Sequence, residues 1–324
     1  MNFEWTQDEE AFRQRLREFL AATLPQDWER FSQHGPASPA LTDYARTFCG
    51  RLADEGLLTP HWTREIGGQG LDPWHQTILA EEMWIAGEPR GGQYMNVNWV
   101  GPTLIRYGSD AQKARYLPAI LEGETWCQGF SEPGAGSDLA SLKCKAERVT
   151  RPGGDVYVIN GQKVWSTMAQ YTDKCMLLVR TASDGPKQAG ITFLILDMKA
   201  KGVEVRPINQ IQGDQEYCEI FLDEVEVPVS DRIGEENAGW AVTSATLSAE
   251  RGLTLMELSY RMRGNLHRIA ALIREKGRED DRGVLRDFGQ LVARCDSACA
   301  IADRFLENRM HDIERVGDAS IVKN

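Results

Sequence analysis

No stretch of this sequence approaches the roughly 20 consecutive apolar residues that a membrane-spanning helix needs. The N-terminus, MNFEWTQDEEAFRQRLREFL, is acidic and amphipathic and lacks the layout of a secretory signal, so a cytoplasmic protein is expected. Basic residues are in deficit: 37 Lys and Arg stand against 48 Asp and Glu, for a net charge of −11. That balance argues against nucleic acid as the main partner, because phosphate binding wants a basic face, but leaves room for an anionic ligand held by local arginines. Metal-ligand spacings are missing too. The seven cysteines, at 49, 127, 144, 175, 218, 295 and 299, form no C-x-x-C, and the five histidines are scattered, so no zinc site is expected. Reduced thiols are the simplest account of the cysteines. Cys295 and Cys299, four residues apart, read as small core residues on one helix face.

Nucleotide fingerprints are absent in a more informative way. The loop PGAGSD (133–138) has Gly134 and Gly136 where a G-x-G-x-x-G motif has its first two glycines, but Leu139 where the third is required. No Gly-Lys-Ser/Thr closes a Walker loop. The following residues turn within a dozen positions into a strand-like stretch, so this is not a dinucleotide-binding turn.

What is present is a change of period along the chain. A length of 324 residues suggests two or three subdomains. Residues 1–124 read as helical: Thr6-Gln7-Asp8-Glu9 has the form of a capping box, with Phe12, Leu16, Phe19 and Leu20 at helical spacing behind it. Ser109-Asp110-Ala111-Gln112 is a second such start, and REIGGQGLDP (64–73) is a glycine-rich break. Residues 125–235 read as strands, including DVYVINGQKVW, CMLLVRT, ITFLILD, VEVRPI and CEIFLDEVEVPV. Asn160-Gly161 carries a strong hairpin signal. Residues 236–324 return to long helices with short breaks, as in a bundle. The expected fold class is therefore α+β: a helical domain, a small barrel or sandwich, then a helical bundle.

That order, with GFSEPGAGSDLAS (129–141) opening the β-region, resembles the acyl-CoA dehydrogenase family of flavoproteins. GGQGLDPWHQTILAEE (67–82), INGQKVWST (159–167), DEVEVP (223–228), GEENAGW (234–240) and LSAERG (247–252) stand in family order and spacing. Within the family, the sequence looks like the bacterial branch acting on larger or unusual acyl-CoAs, such as ring, dicarboxylic or steroid side-chain thioesters.

The resemblance implies FAD, a CoA thioester substrate and α,β-desaturation: a carboxylate removes the α-proton while the β-hydride passes to the flavin. Electrons would leave to an electron-transferring flavoprotein. It also implies that Phe130 and Ser131 lie along the flavin ring, and that Ser137, after the turn at Gly136, lies near the cofactor's phosphates and the pantetheine path. Glycine there lets backbone approach a bulky ligand. Trp165 and Thr167 match the residues that pack on and hydrogen-bond the ring, although barrel core is the other reading of Trp165. Gln128, also matched to the cofactor, stands where several relatives carry a tyrosine, a change that bears on the acyl pocket and leaves FAD binding in place.

Most relatives take the catalytic base from a later loop reading roughly Glu-Gly-Thr, a motif this sequence lacks. A minority use a glutamate on the first long helix of the last domain, and Glu250 in LSAERG stands at that position. Arg251 matches an arginine of the substrate site. A carboxylate among Ala241, Val242, Ala245, Leu247 and Leu253 would have the raised pKa a general base needs. The alternative is a surface Glu-Arg pair, since adjacent helical residues diverge by about 100°. Relatives continue beyond a segment like DASIVKN, so the bundle is expected to be incomplete relative to the family and to call for a partner in a homo- or hetero-oligomer, dimer or tetramer. Three functions stay open: an active dehydrogenase, a non-catalytic or half-site subunit of a heteromeric one, and a flavin monooxygenase on the same fold, where a glutamate beside an arginine is less needed.

Overall fold

The structure, a computed structural model, describes residues 5–32 and 38–310, and for 248–257 and 309–310 only the helical backbone. Its helices are α1 (Gln7–Thr23), α2 (Trp28–Phe31), α3 (Pro39–Asp54), α4 (Pro73–Ile85), α5 (Gln93–Met95), α6 (Gly101–Tyr107), α7 (Asp110–Leu121), α8 (Gly239–Glu275) and α9 (Arg282–Met310). Its strands are β1 (Trp126–Gly129), β2 (Lys145–Arg151), β3 (Gly154–Thr167), β4 (Lys174–Arg180), β5 (Ile191–Asp197), β6 (Val203–Pro207), β7 (Tyr217–Pro228) and β8 (Arg232–Ile233). The fold is α+β, with helices first, a strand region in the middle and two long helices last.

Both expected helix starts form for the expected reason. Glu9 N–H bonds the Thr6 hydroxyl at 3.3 Å, and Thr6 N–H bonds the Glu9 carboxylate at 2.6 Å. Ser109 and Gln112 repeat the box at α7. The Gln112 amide then reaches the carbonyls of Ser230 and Arg232 at 2.7 and 2.9 Å, so one cap residue also ties α7 to the strand region.

The chain forms two compact units. One draws on residues 1–32, 54–89 and 250–324; the other on 33–53 and 90–249. The first is organised around buried charge. Arg13 of α1 lies 2.7 Å from both Glu81 and Glu82 of α4, and Arg263 of α8 lies 2.6 Å from Glu81. Each carboxylate is thereby satisfied, which lets helices carrying charge pack closely. Cys295 and Cys299 are buried, as expected of small core residues. The described cysteines are all free thiols.

The second unit holds the sheet, in the order β6-β7-β3-β2-β4-β5-β8, with β1 adding to β4 in parallel. Its core collects every second residue: Tyr157 and Ile159; Cys175, Leu177 and Val179; Leu194 and Leu196; Cys218, Ile220 and Leu222. Along β7 this alternation changes phase, because Val225 and Val227 also point into the core. The cause is a bulge: between the pairs Ile159↔Val225 and Gly161↔Leu222, β7 has one residue more than β3, and Glu224 takes a left-handed φ of 49°.

The hairpin expected at Asn160-Gly161 is therefore corrected. β3 runs straight through these residues, and the chain reverses at Pro152-Gly153 between β2 and β3. Asn160 instead holds the bulge, its side-chain Oδ1 accepting the Glu224 N–H at 2.9 Å. Glycine is needed at 161 because a Cβ there would lie 2.8 Å from the Cys144 Cα.

Candidate functional site

In the second unit, the end of β1, the loop after it, the end of β3 and the helical turn after α5 enclose a cleft of about 480 Å³, part of it open to solvent. Gln128, Phe130, Ser131, Trp165 and Thr167 all line it. Five of the seven residues matched to the cofactor are thus brought together.

A second irregularity in β3 explains how one strand supplies so much of the wall. Between the pairs Lys163↔Ile220 and Ser166↔Cys218, β3 has one residue more than β7, and Trp165 takes a left-handed φ of 62°. A regular strand would show only alternate residues to one side. Here Val164, Trp165 and Thr167 all face the cleft, while Lys163 and Ser166 are fully buried. A non-glycine residue in this conformation is strained, and such strain concentrates at functional sites. Trp165 is 60% exposed, resting edge-on against Tyr217 with ring centroids 6.2 Å apart. It is therefore not barrel core.

The loop 130–136 is clamped from beneath. Glu132 and Ala135 exchange both backbone hydrogen bonds at 3.0 Å, closing a tight turn at Pro133-Gly134. The Glu132 carboxylate accepts the N–H groups of Lys143 at 2.7 Å and Cys144 at 2.9 Å, and pairs with the buried Lys163 ammonium at 2.8 Å. Lys163 also donates to the Phe130 carbonyl at 3.2 Å. Phe130 packs edge-on against Phe193, with ring centroids 5.7 Å apart. Burial pushes the neighbouring Cys144 thiol up to about 11, against the pull of Lys163, so it stays protonated.

Gly136 and Ser137 are exposed and do not line the cleft. A Cβ at Gly134 or Gly136 would meet nothing within 4 Å. Contacts within the described chain therefore do not demand glycine there. Glu250 and Arg251 lie in α8, but their side chains are outside the described residues.

One wall was not anticipated: Met95, Asn96, Trp99 and Val100. They follow α5 through a π-helical turn, Asn96–Val100, in which the Gly101 N–H bonds the Asn96 carbonyl five residues back. Asn96 is fixed there, its side-chain oxygen accepting the Trp126 N–H at 3.1 Å and its amide donating to Gln93 at 2.5 Å. No helical apolar period marks this segment; its only cue is a buried asparagine among aromatic and apolar residues.

The cleft is short of internal partners. The amide Nε2 of Gln128 and the indole Nε1 of Trp99 are buried with no hydrogen-bond partner among the described residues. The hydroxyls of Ser131 and Thr167 also make no hydrogen bond among them. An aromatic cleft rimmed by unused polar groups fits a flat ring system carrying both donors and acceptors.

Comparison with known proteins agrees with this geometry. Residues 6–124 match the acyl-CoA dehydrogenase N-terminal domain, and residues 127–225 match the acyl-CoA dehydrogenase middle domain. The chain belongs to the acyl-CoA dehydrogenase family. It is 36% identical to the acyl-CoA dehydrogenase IpdE1 of Mycolicibacterium smegmatis over 281 residues, covering 83% of this chain and 71% of that protein. Among solved structures it resembles the Tcur3481-Tcur3483 steroid ACAD, with a TM-score of 0.89 and 31% identity over 100% of this chain and 82% of that one. It also resembles the ChsE4-ChsE5 complex from Mycobacterium tuberculosis, with a TM-score of 0.84 and 31% identity over 100% of this chain and 81% of that one. Among the described residues of this family member, no helix is long and apolar enough to cross a membrane, and no cluster of side chains could hold a metal.

Proposed function

We propose that this chain is an FAD-dependent acyl-CoA dehydrogenase that desaturates a thioester between its α and β carbons. The observation that carries the reading is the convergence of Gln128, Phe130, Ser131, Trp165 and Thr167 on one cleft with unused polar groups. These residues fit a flavin. Phe130 and Trp165 offer aromatic surface, and the Ser131 and Thr167 hydroxyls offer hydrogen bonds to its polar edge. Gly136 and Ser137 sit where the phosphates and the pantetheine arm would pass. FAD, when bound, supplies the acceptor for the β-hydride. Glu250 takes the α-proton, and Arg251 helps hold the substrate. Removal of the electrons falls to an electron-transferring flavoprotein.

A second feature of the function comes from the relatives. Two of the solved structures named above are two-component assemblies, Tcur3481-Tcur3483 and ChsE4-ChsE5. We infer that this chain likewise works beside a second acyl-CoA dehydrogenase chain, with a bulky ring-bearing thioester such as a steroid derivative as substrate.

The test is the visible spectrum of the purified chain with FAD, followed by anaerobic addition of acyl-CoA thioesters. Bleaching of the flavin by one thioester, lost in Glu250→Gln, is the expected result. Bleaching that survives in Glu250→Gln would overturn the assignment of the base. A protein that takes up no flavin, alone or with a co-expressed partner chain, would overturn the function.

A further inference from the structure

Gln128 and Trp99 line the cleft from different walls, and a side-chain nitrogen of each is buried with no hydrogen-bond partner among the described residues. Gln128 comes from β1 and Trp99 from the π-helical turn. Two side-chain acceptors of this region are engaged elsewhere: the Asn96 side-chain oxygen takes the Trp126 N–H at 3.1 Å, and the Glu124 carboxylate takes the Trp126 indole at 3.0 Å. The lining also includes the apolar side chains of Met95, Val100, Val164 and Met176. A buried donor left unmade is costly, and a guest that brings an acceptor removes that cost while a hydrocarbon guest leaves it in place. A site built this way discriminates by the oxygen it expects.

We propose that Gln128 and Trp99 together recognise an oxygen atom on the acyl group, so that the cleft selects a carbonyl- or hydroxyl-bearing acyl thioester over its hydrocarbon counterpart. This rests on the dehydrogenase reading above. A carbonyl of the bound flavin offers the same acceptor chemistry. The substrate is the assigned source for two reasons. Ser131 and Thr167 already bring unused hydroxyls to the cofactor side of the cleft. Trp99 stands on the wall to which no cofactor contact is matched, and Gln128 replaces a tyrosine at a position bearing on the acyl pocket.

The probes are the CoA thioester of 1-methylcyclohexanecarboxylic acid and its 3-oxo and 4-oxo derivatives. None has an α-hydrogen to lose, so calorimetry on the FAD-loaded protein reads binding without turnover. An oxo derivative is expected to bind about tenfold tighter than the hydrocarbon. In Gln128→Leu that preference falls to about one, and in Trp99→Phe it falls by a smaller factor, the preference being read as the ratio of oxo to hydrocarbon affinity within each protein. Gln128→Met serves if the leucine variant does not fold. Equal binding of all three probes by the wild type overturns the inference and leaves the dehydrogenase reading standing. Equal binding accompanied by a shifted flavin absorption band in Gln128→Leu gives the donors to the cofactor and overturns it equally. Failure to bind any thioester overturns both.

Discussion

Breaking the Lys163–Glu132 pair from its two ends will have unequal effects. The two groups are 2.8 Å apart, with side chains 0% and 9% exposed. Glu132→Gln strands an ammonium whose remaining acceptors, the Phe130 carbonyl at 3.2 Å and the glutamine oxygen, carry no counter-charge. It also turns an amide N–H toward one of the two backbone N–H groups, of Lys143 and Cys144, that the carboxylate now accepts. An uncompensated buried charge costs about 3–5 kcal/mol, and the added clash puts this variant toward the upper end. Lys163→Met leaves the carboxylate with both backbone donors, so about 2 kcal/mol is expected. In the double variant neither charge is stranded, and its loss should fall short of the sum by about 2 kcal/mol or more. Urea unfolding of all four proteins, followed by circular dichroism, measures the cycle. Equal single losses that add in the double variant would refute the claim that this pair clamps the loop as a coupled unit.

Two further outcomes follow from buried groups. The His61 ring is half-buried, but its Nδ1 is enclosed without a hydrogen-bond partner among the described residues, and burial lowers its pKa from 6.5 to about 4. The unfolded chain takes up this proton near the ordinary value while the folded chain resists to about 4, so the contribution is full above 6.5 and is lost as pH falls through that window. Between pH 7 and 5 the wild type should lose about 1–2 kcal/mol more than His61→Gln by urea titration, and parallel losses would refute the assignment. Ser166 is fully buried with its hydroxyl unpartnered among the described residues, so Ser166→Ala should stabilise the protein by up to about 1 kcal/mol. A loss of similar size in thermal unfolding would show that this hydroxyl has a partner.

Features specified by neighbours in sequence were legible. The capping boxes at Thr6 and Ser109 and the strand runs CMLLVRT and ITFLILD each need only a few adjacent residues, and each forms as expected. The residues matched to the cofactor were drawn from family motifs, and five of them meet in one cleft. What could not be read depends on pairing across the sheet or on distant packing. Asn160-Gly161 has the composition of a hairpin, yet its partner is Glu224 of β7, which turns the same residues into the clasp of a bulge. The Met95–Val100 wall is set by the hold of Gln93 and Trp126 on Asn96. Residues 33–53 and 54–89 belong to different compact units, a division made by long-range contacts that no local period announces.

The two irregularities of the β3–β7 pair do opposite things, and the site depends on both. A one-residue slip in a regular pair would exchange core and surface along the rest of the strand. At Glu224 the extra residue is on β7, and it restores the inward phase so that Leu222 and Val225 both reach the core. At Trp165 the extra residue is on β3, and it keeps Lys163 and Ser166 inward while sending Val164 and Trp165 together into the cleft. Lys163, just before that bulge, holds Glu132 and the Phe130 carbonyl. The strand that presents the exposed tryptophan therefore also anchors the loop that presents Phe130 and Ser131, and the two are tied by this buried ion pair together with the Val164 N–H, which donates to the Ser131 carbonyl at 2.9 Å.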